Sequence, residues 1–170
     1  MNRQTLTAAL IAILVVGGLA GGILYLTRHN HLELTGSVLK VRSQMVDSKN
    51  TMAVIDFRAT NPSTNQFVVR NVEVFIEDKD GNPLETNIFS EMDAKRLFDY
   101  YPVLGKKFHD TLRIKDKIEP GQTLDRMIAV GIPITDTALQ QRKGLRLEIE
   151  DLDGSKSLIR EERPSASQAR

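Results

Sequence analysis

The sequence has no cysteine, and this absence excludes four kinds of chemistry. Disulfides, thiolate zinc sites, c-type haem attachment and cysteine nucleophiles all require a thiol. A domain that is exported without disulfides must be held together by its core alone. The 170 residues leave room for one domain that is large enough to bury such a core.

The chain also has no strong excess of one charge. Its 23 Lys and Arg residues and its 22 Asp and Glu residues give a formal net charge of +1. A near-neutral domain lacks the basic patch that is typical of nucleic-acid-binding proteins, and no polybasic run marks a lipid-reading surface. We therefore expect no nucleic-acid partner.

Charged residues are missing entirely from Leu6–Leu26, a run of 21 positions. At about 1.5 Å per helical residue this segment would span ~30 Å, the thickness of a bilayer core. The run is longer than the roughly 7–15 apolar residues of a signal peptide, although Gly18–Ala20 offers small residues for cleavage. We predict a retained transmembrane helix over 6–26, between a cytoplasmic stub at 1–5 and a linker at 27–31.

Arg3, in the short segment before this helix, decides the predicted orientation. Arg28, His29 and His31 follow the helix, so the charge count across it is nearly even. A short N-terminal segment ahead of a signal-like helix usually stays cytoplasmic. We therefore predict a single-pass protein of the cell (inner) membrane, with lipid around its anchor and its soluble domain on the periplasmic or outer side.

Four glycines of the predicted helix have the spacing of close helix packing. Gly17 with Gly21, and Gly18 with Gly22, form small-xxx-small pairs that allow two helix backbones to approach. This spacing predicts a membrane-protein partner or a homodimer. The alternative is that glycine is simply common in membrane helices and near signal cleavage sites.

After the linker, apolar and polar residues alternate with the period of β-strands. The strand regions are 52–60, 67–77, 111–118, 124–134, 145–150 and 158–159. The segment from Leu32 to Arg42 suggests one or two short strands with a kink at Gly36, and Leu84–Phe89 suggests a returning strand. Six to eight short strands favour an antiparallel β-sandwich over 32–160, and the apolar-poor segment 161–170 is expected to be disordered.

Sequence motifs give no catalytic, cofactor or metal site. Asp78–Pro83 resembles the start of a calcium loop, but Phe89 stands at the twelfth position, where that loop needs Glu. Asp80-Gly81 is therefore predicted to be a hairpin turn, as are Pro120-Gly121 and Asp153-Gly154. The histidines are too scattered for a catalytic triad or a metal site.

The β-pattern is interrupted between Ser90 and Phe108. Ser90 fits a helix N-cap with Asp93 at the third helical position, and Pro102 and Gly105 end the helix. One face of this predicted helix is apolar, with Ala94, Leu97, Phe98 and Tyr101 at helical spacing.

This helical insertion holds five of the nine aromatic residues: Phe89, Phe98, Tyr100, Tyr101 and Phe108. We predict that Tyr100 and Phe108 face outward, beside Lys106 and Lys107, and form a surface that binds a partner. The alternative is that all five aromatic side chains are buried in the core.

Several short motifs resemble the late-embryogenesis-abundant-like domains, also called water-stress-and-hypersensitive-response domains. The first is Phe57-x-x-x-Asn61-Pro62, in which a strand ends at Asn-Pro. The others are Val72-Glu73-Val74 before Asp80-Gly81, Ile118-Glu119-Pro120-Gly121, Ile128-Ala129-Val130 and Ile132-Pro133-Ile134. Bacterial FxLYD-type domains share much of this layout, with a partial match at Phe75–Asp78. The resemblance covers roughly Leu34–Asp153, and Ser90–Phe108 is longer than the family's usual connection.

This resemblance implies an immunoglobulin-like sandwich without catalytic residues. It also implies roles in stress protection, envelope association or accessory binding. We therefore expect a non-catalytic accessory or interaction subunit of a membrane or envelope complex. A protein that protects the envelope against stress or desiccation is the alternative, and an enzyme is the third hypothesis.

Overall fold

The computed structural model describes residues 15–18, 21–22 and 33–162. The chain divides into two units, Met1–His31 and Leu32–Arg170. In the first unit, the described residues 15–18 and 21–22 are helical and exposed. The described part of the chain contains no helix that is both long enough and apolar enough to cross a membrane. The predicted stub, the linker and most of the predicted anchor lie outside the described residues.

The second unit is mainly β and forms a sandwich of two five-stranded sheets over residues 33–162. Its elements are β1 (Thr35–Met45), β2 (Thr51–Thr60), β3 (Phe67–Glu77), β4 (Pro83–Glu85), β5 (Asn87–Ile88), α1 (Glu91–Tyr100), a 3₁₀ helix (Pro102–Leu104), β6 (Asp110–Thr111), β7 (Lys117–Ile118), β8 (Thr123–Ile132), α2 (Asp136–Gln140), β9 (Gly144–Asp151) and β10 (Lys156–Arg160). In the first sheet the order is β1-β2-β8-β5, and β6 runs parallel to β8. In the second sheet the order is β10-β9-β3-β4, and β7 pairs with the start of β3.

The main core lies between the two sheets, where alternate residues of the long strands meet. Ile55 and Phe57 of β2 and Leu147 and Ile149 of β9 are all fully buried. Burial of such side chains supplies the dominant stabilising free energy of a domain without disulfides.

A second apolar cluster covers the outer face of the first sheet. Met52 and Val54 of β2 pack there with Met127 of β8 and with Ala94 and Leu104 of the insertion. The insertion is thus a third layer, and β2 is buried on both faces. This explains why both alternating sets of residues in β2 are apolar.

The predicted turns are confirmed. In the β3–β4 hairpin Gly81 has a φ of +90°, a conformation that glycine adopts without strain. At Pro120-Gly121, the Gln122 N–H donates to Glu119 O over 3.0 Å, and Gly121 has a φ of +71°. Proline at the second position and glycine at the third are the residues that such a turn requires.

The prediction that β3 alternates regularly along its whole length is wrong, because the strand contains a bulge. Its bounds agree with the prediction, but the register with β9 shifts between Val69 and Asn71. The core-facing residues are therefore Phe67 and Val69 before the shift and Val74 and Ile76 after it. A bulge adds one residue to one strand, and this reverses the face of every later side chain.

The prediction for β1 is also corrected. It is one strand of 11 residues, with a register shift between Val38 and Lys40, and Gly36 does not break it. A Cβ atom built on Gly36 would lie 2.0 Å from Arg58 O and 3.0 Å from Ile159 Cδ1. Gly36 is therefore needed for the close approach of β1 to the backbone of β2, and it does not produce a kink.

Two other predicted strands are each divided in two. The segment from Leu84 to Phe89 contributes β4 to one sheet and β5 to the other. The segment from Thr111 to Ile118 contributes the last residue of β6 and all of β7, and the turn between them includes Lys115 with a φ of +72°.

The predicted boundary of the disordered tail is wrong at its first residue. Glu161 N–H donates to Leu145 O over 2.8 Å, and the Glu161 carboxylate accepts from Arg142 Nε over 2.9 Å. The ordered domain therefore extends past 160. The prediction for residues 163–170 lies outside the described residues.

Candidate functional site

The insertion begins with the predicted cap. Ser90 Oγ accepts a hydrogen bond from the Asp93 N–H over 3.2 Å, which satisfies one of the free amides at the start of α1. Ala94 is buried, and the first turn carries the acidic residues Glu91 and Asp93, which the helix dipole favours. Tyr101 N–H donates to Leu97 O and closes the helix ahead of the 3₁₀ turn.

Arg42 of β1 binds the end of this insertion to the sheet. Its Nη1 donates to the carbonyl oxygens of Leu104 and Lys106, the latter over 2.8 Å. Its Nη2 donates to Asp56 Oδ2 over 2.8 Å, and the two side chains are only 9% and 2% exposed. One guanidinium thus contacts two carbonyl groups of the insertion and a buried carboxylate of β2.

Aromatic rings cover the same guanidinium. The Arg42 Cζ lies 5.3 Å from the centre of the Phe98 ring and 5.0 Å from that of Phe108. Lys40 Nζ lies 5.7 Å from the Phe108 ring. Such contacts are attractive because the ring face carries negative charge, and they strengthen when water is excluded. One face of the Phe108 ring therefore contacts the cationic side chains of Lys40 and Arg42 in β1.

Asp56 also holds His109, which lies at the end of the insertion. His109 Nδ1 is 3.0 Å from Asp56 Oδ1, and His109 Nε2 is 4.0 Å from Asp125 Oδ2. Hydrogen bonds from Arg58 hold the pKa of Asp125 below its usual value, against an opposing effect of burial, and the charge of His109 lowers it further.

A carboxylate on one nitrogen of a histidine resembles part of a catalytic triad, but a triad also needs a nucleophile on the other nitrogen. Here the partner of Nε2 among the described residues is a carboxylate oxygen of Asp125 at 4.0 Å, which is not a nucleophile of that kind. Within the same residues, no three His, Cys, Asp or Glu side chains are placed to hold a metal ion. The chemistry that this geometry supports is the fixing of the insertion to the sheet by Arg42 and His109.

The outer surface of the insertion exposes apolar and aromatic side chains. Tyr100 is 77% exposed, Val103 73% and Phe108 58%. Lys106 and Lys107 belong to the same segment and are also exposed. We call these five residues the insertion patch. Phe89, Phe98 and Tyr101, in contrast, pack against the second apolar cluster.

This arrangement excludes the alternative that all five aromatic side chains of the insertion are core residues. Tyr100 and Phe108 are exposed, as are the two lysines; the amphipathic pattern of the helix accounts for Tyr100, whereas Phe108 lies beyond the helix. Their binding of a partner stays a prediction. The four predicted packing glycines of the N-terminal unit are described, and a Cβ built on any of them meets no heavy atom of the other described residues within 4 Å. Their packing against another helix also stays a prediction.

The Arg42–Asp56–His109 cluster was not predicted from the sequence. One signal was available: Asp56 shares a face of its strand with Met52 and Val54, both apolar. A carboxylate on an apolar strand face requires a cation or a hydrogen-bond donor when it is buried. The identity of the partners could not be predicted, because His109 lies 53 residues away in sequence.

Comparison with known proteins gives distant structural matches only. No protein-family model matches the sequence, and no curated protein matches it. An ApaG protein from Pseudomonas aeruginosa is similar over 69% of this chain and 94% of its own, with 12% identity and a TM-score of 0.38. An uncharacterized β-sandwich protein from Clostridium difficile is similar over 75% of this chain and 85% of its own, with 11% identity and a TM-score of 0.39.

Proposed function

We propose that this chain is a non-catalytic, membrane-anchored accessory subunit that binds a membrane or envelope protein through its insertion patch. The observation that carries the proposal is the exposure of Tyr100, Val103 and Phe108 together on one short segment. Exposed apolar groups that are rimmed by charged residues mark interaction sites, and aromatic residues are enriched where partners bind tightly.

The way in which the insertion is held supports this proposal. Arg42 and His109 bind it to the sheet, and Ala94 and Leu104 bury its inner side. A surface that is already ordered loses little conformational entropy on binding. The patch is therefore suited to a preformed partner surface.

The anchor and the finer fold assignment belong to the same proposal. The uncharged run Leu6–Leu26 supports a single membrane-spanning helix, with glycines available to a partner helix. Two facing sheets whose connections cross between them support an immunoglobulin-like sandwich. The short motifs that resemble those of the late-embryogenesis-abundant-like domains are consistent with such a sandwich.

The test is co-purification of the tagged full chain from membranes in a gentle detergent. We expect a partner in stoichiometric amount with the unaltered chain, and its loss with Tyr100→Ala while the melting temperature stays unchanged. Tyr100 is the better probe because Phe108 also contacts Arg42. Leu152→Ala is the matched control, since Leu152 is 60% exposed in the β9–β10 turn.

Two results would contradict the proposal. If the unaltered chain brings down no stoichiometric partner, the stress-protection alternative is favoured. If a partner is recovered equally with Tyr100→Ala and Phe108→Ala, the insertion patch is not its binding site.

A further inference from the structure

The second sheet has a gap in one edge. On the side of β3 away from β9, β7 pairs with Phe67–Val68 and β4 pairs with Phe75–Glu77. The N–H and C=O of Val69 are bonded to the loop at Lys115–Asp116. From Arg70 to Val74, no described strand pairs with this side of β3.

The backbone of Val72 points into this gap. Thr86 Oγ1 donates to Val74 O over 3.0 Å from the side of β4. Backbone groups two residues apart in a strand point the same way, so the N–H and C=O of Val72 lie on that side too. Neither group has a hydrogen-bond partner within residues 33–162. An open N–H and C=O pair on a strand edge is a template for another strand.

Two clefts adjoin the gap and share Val72 and Ile88 in their walls. The larger, of about 500 Å³, is also lined by Leu112 and Ile114, and the smaller has about 390 Å³. Ile88 and Ile114 are 41% and 63% exposed, although both are aliphatic. Apolar side chains of a bound strand would have a place to be buried on either side of Val72.

Thr111 adds a polar residue to the wall of the larger cleft. It is only 6% exposed, and its Oγ1 has no hydrogen-bond partner among the described residues. A buried hydroxyl without a partner is costly, so this part of the wall is less well satisfied than most of the domain.

The charged residues beside the gap indicate which kind of side chain a bound peptide should carry. Glu73 and Glu85 line the smaller cleft, which has no basic residue in its wall. In the larger cleft Glu91 and Arg113 are paired with each other at 3.4 Å. The smaller cleft therefore favours a basic side chain.

We propose that the gap binds a short extended peptide segment of alternating apolar and basic residues, by addition of a strand to β3. Its backbone pairs with Val72, its apolar residues enter the clefts, and a basic residue faces Glu73 and Glu85. The five residues from Arg70 to Val74 span about 17 Å at ~3.3 Å per residue, so β4 and β7 exclude a full strand of a second copy. The site shares no residue with the insertion patch.

The experiment measures binding of a fluorescein-labelled pentapeptide of alternating valine and lysine, with valine at both ends, to the full chain in nanodiscs. The first control is the same peptide with N-methyl groups on the valine amides, which removes backbone donors. The variants are Ile114→Glu, which places a charge in the larger cleft, and Leu152→Glu, an equally exposed position away from it. Amide hydrogen exchange reports on Val72 directly.

We expect saturable binding that falls at least tenfold with the methylated peptide and with Ile114→Glu, and that is kept by Leu152→Glu and by Tyr100→Ala. The Val72 amide should become protected from exchange when the peptide is bound. The proposal is wrong if the unmodified peptide does not bind saturably, if the methylated peptide binds equally well, or if exchange at Val72 does not change. Retention by Tyr100→Ala separates this site from the proposed partner surface.

Discussion

Arg42 joins three parts of the domain that are far apart in sequence. Its guanidinium contacts Asp56 of β2, two carbonyl groups of the insertion and two aromatic rings. Arginine suits this position because its planar group forms several directed hydrogen bonds and stacks on rings, which lysine cannot do equally well. One side chain outside the insertion, together with His109 and the second apolar cluster, therefore contributes to the ordering of the insertion patch.

Loss of Arg42 should destabilise the domain far more than loss of an exposed arginine. Arg42→Met leaves the Asp56 carboxylate, 2% exposed, without its closest cation, and we expect a loss of about 3 kcal/mol in the free energy of unfolding. Arg58→Met breaks a pair whose arginine is 51% exposed and screened by solvent, so it should cost much less. Denaturant unfolding measures both. Equal losses would show that the buried pair does not hold the insertion.

Asp125 should make stability depend on pH at the acid end. Its pKa in the folded state is lowered, chiefly by hydrogen bonds from Arg58. A lowered pKa stabilises the fold above the unfolded value of about 3.9, and this contribution is lost as the pH falls through the folded value. Asp125→Asn should therefore be less stable than the unaltered chain at pH 7, and the difference should shrink below about pH 4. Denaturant unfolding at several pH values checks this, with the exposed Glu162→Gln as control.

At the scale of single residues, local signals were predictable and long-range partners were not. The Ser90 cap and the glycine at Gly121 follow from chemistry within a few residues. The pairing of Asp56 with His109 depends on how the chain folds back over 53 residues, and no local pattern carries that information.

The long strands were predictable because their periodicity is local. β2 and β3 have nearly the predicted bounds, since each is a run of ten or eleven residues that is followed by a turn signal, Asn61-Pro62 or Asp80-Gly81. The bulges in β1 and β3 were not predictable, because a register shift is set by the partner strand. The two- and three-residue strands β4 to β7 are too short to show a period at all.

Gly36 should not tolerate a side chain, even as small as alanine. A Cβ at this position would lie 2.0 Å from the backbone oxygen of Arg58, so β1 would have to move away from β2. We expect Gly36→Ala to cost about 1–3 kcal/mol, as overpacking does. The neighbouring Ser37→Ala is the control and should change stability little. Unfolding curves that coincide for the two variants would refute the close approach.

At the scale of the whole molecule, the three layers explain how one domain without cysteine carries a large irregular insertion. The sandwich core and the second apolar cluster share β2 and β8, so the insertion adds buried area to strands that are already central. Two sheets were predictable from strand number and turn spacing. The third layer was not, because helical periodicity in 91–100 does not say which surface the helix covers.

Glycines of the N-terminal unit should mediate association with another helix. Among the described residues, a Cβ on Gly21 or Gly22 meets no heavy atom within 4 Å, so a larger side chain has room in the isolated chain. We expect Gly21→Ile and Gly22→Ile to reduce recovery of the co-purified partner or of the homodimer. Val16→Ile, which adds bulk at an exposed position without removing a glycine, is the control. If recovery is unchanged, these glycines do not pack against a partner helix and only reflect the usual glycine content of membrane helices.

The last prediction concerns the side of the membrane on which the sandwich lies. Arg3 is the one charged side chain before the uncharged run, and a short segment of this kind is not expected to be translocated. The domain would then fold outside the cytoplasm, where the lack of cysteine makes it indifferent to the oxidising conditions found there. A reporter that is active only in the periplasm, fused after Arg170, should be active, and the mature chain should keep its residues before Gly21. A silent reporter would show that the predicted orientation is wrong. A mature chain that begins at Gly21 would show that the anchor is cleaved.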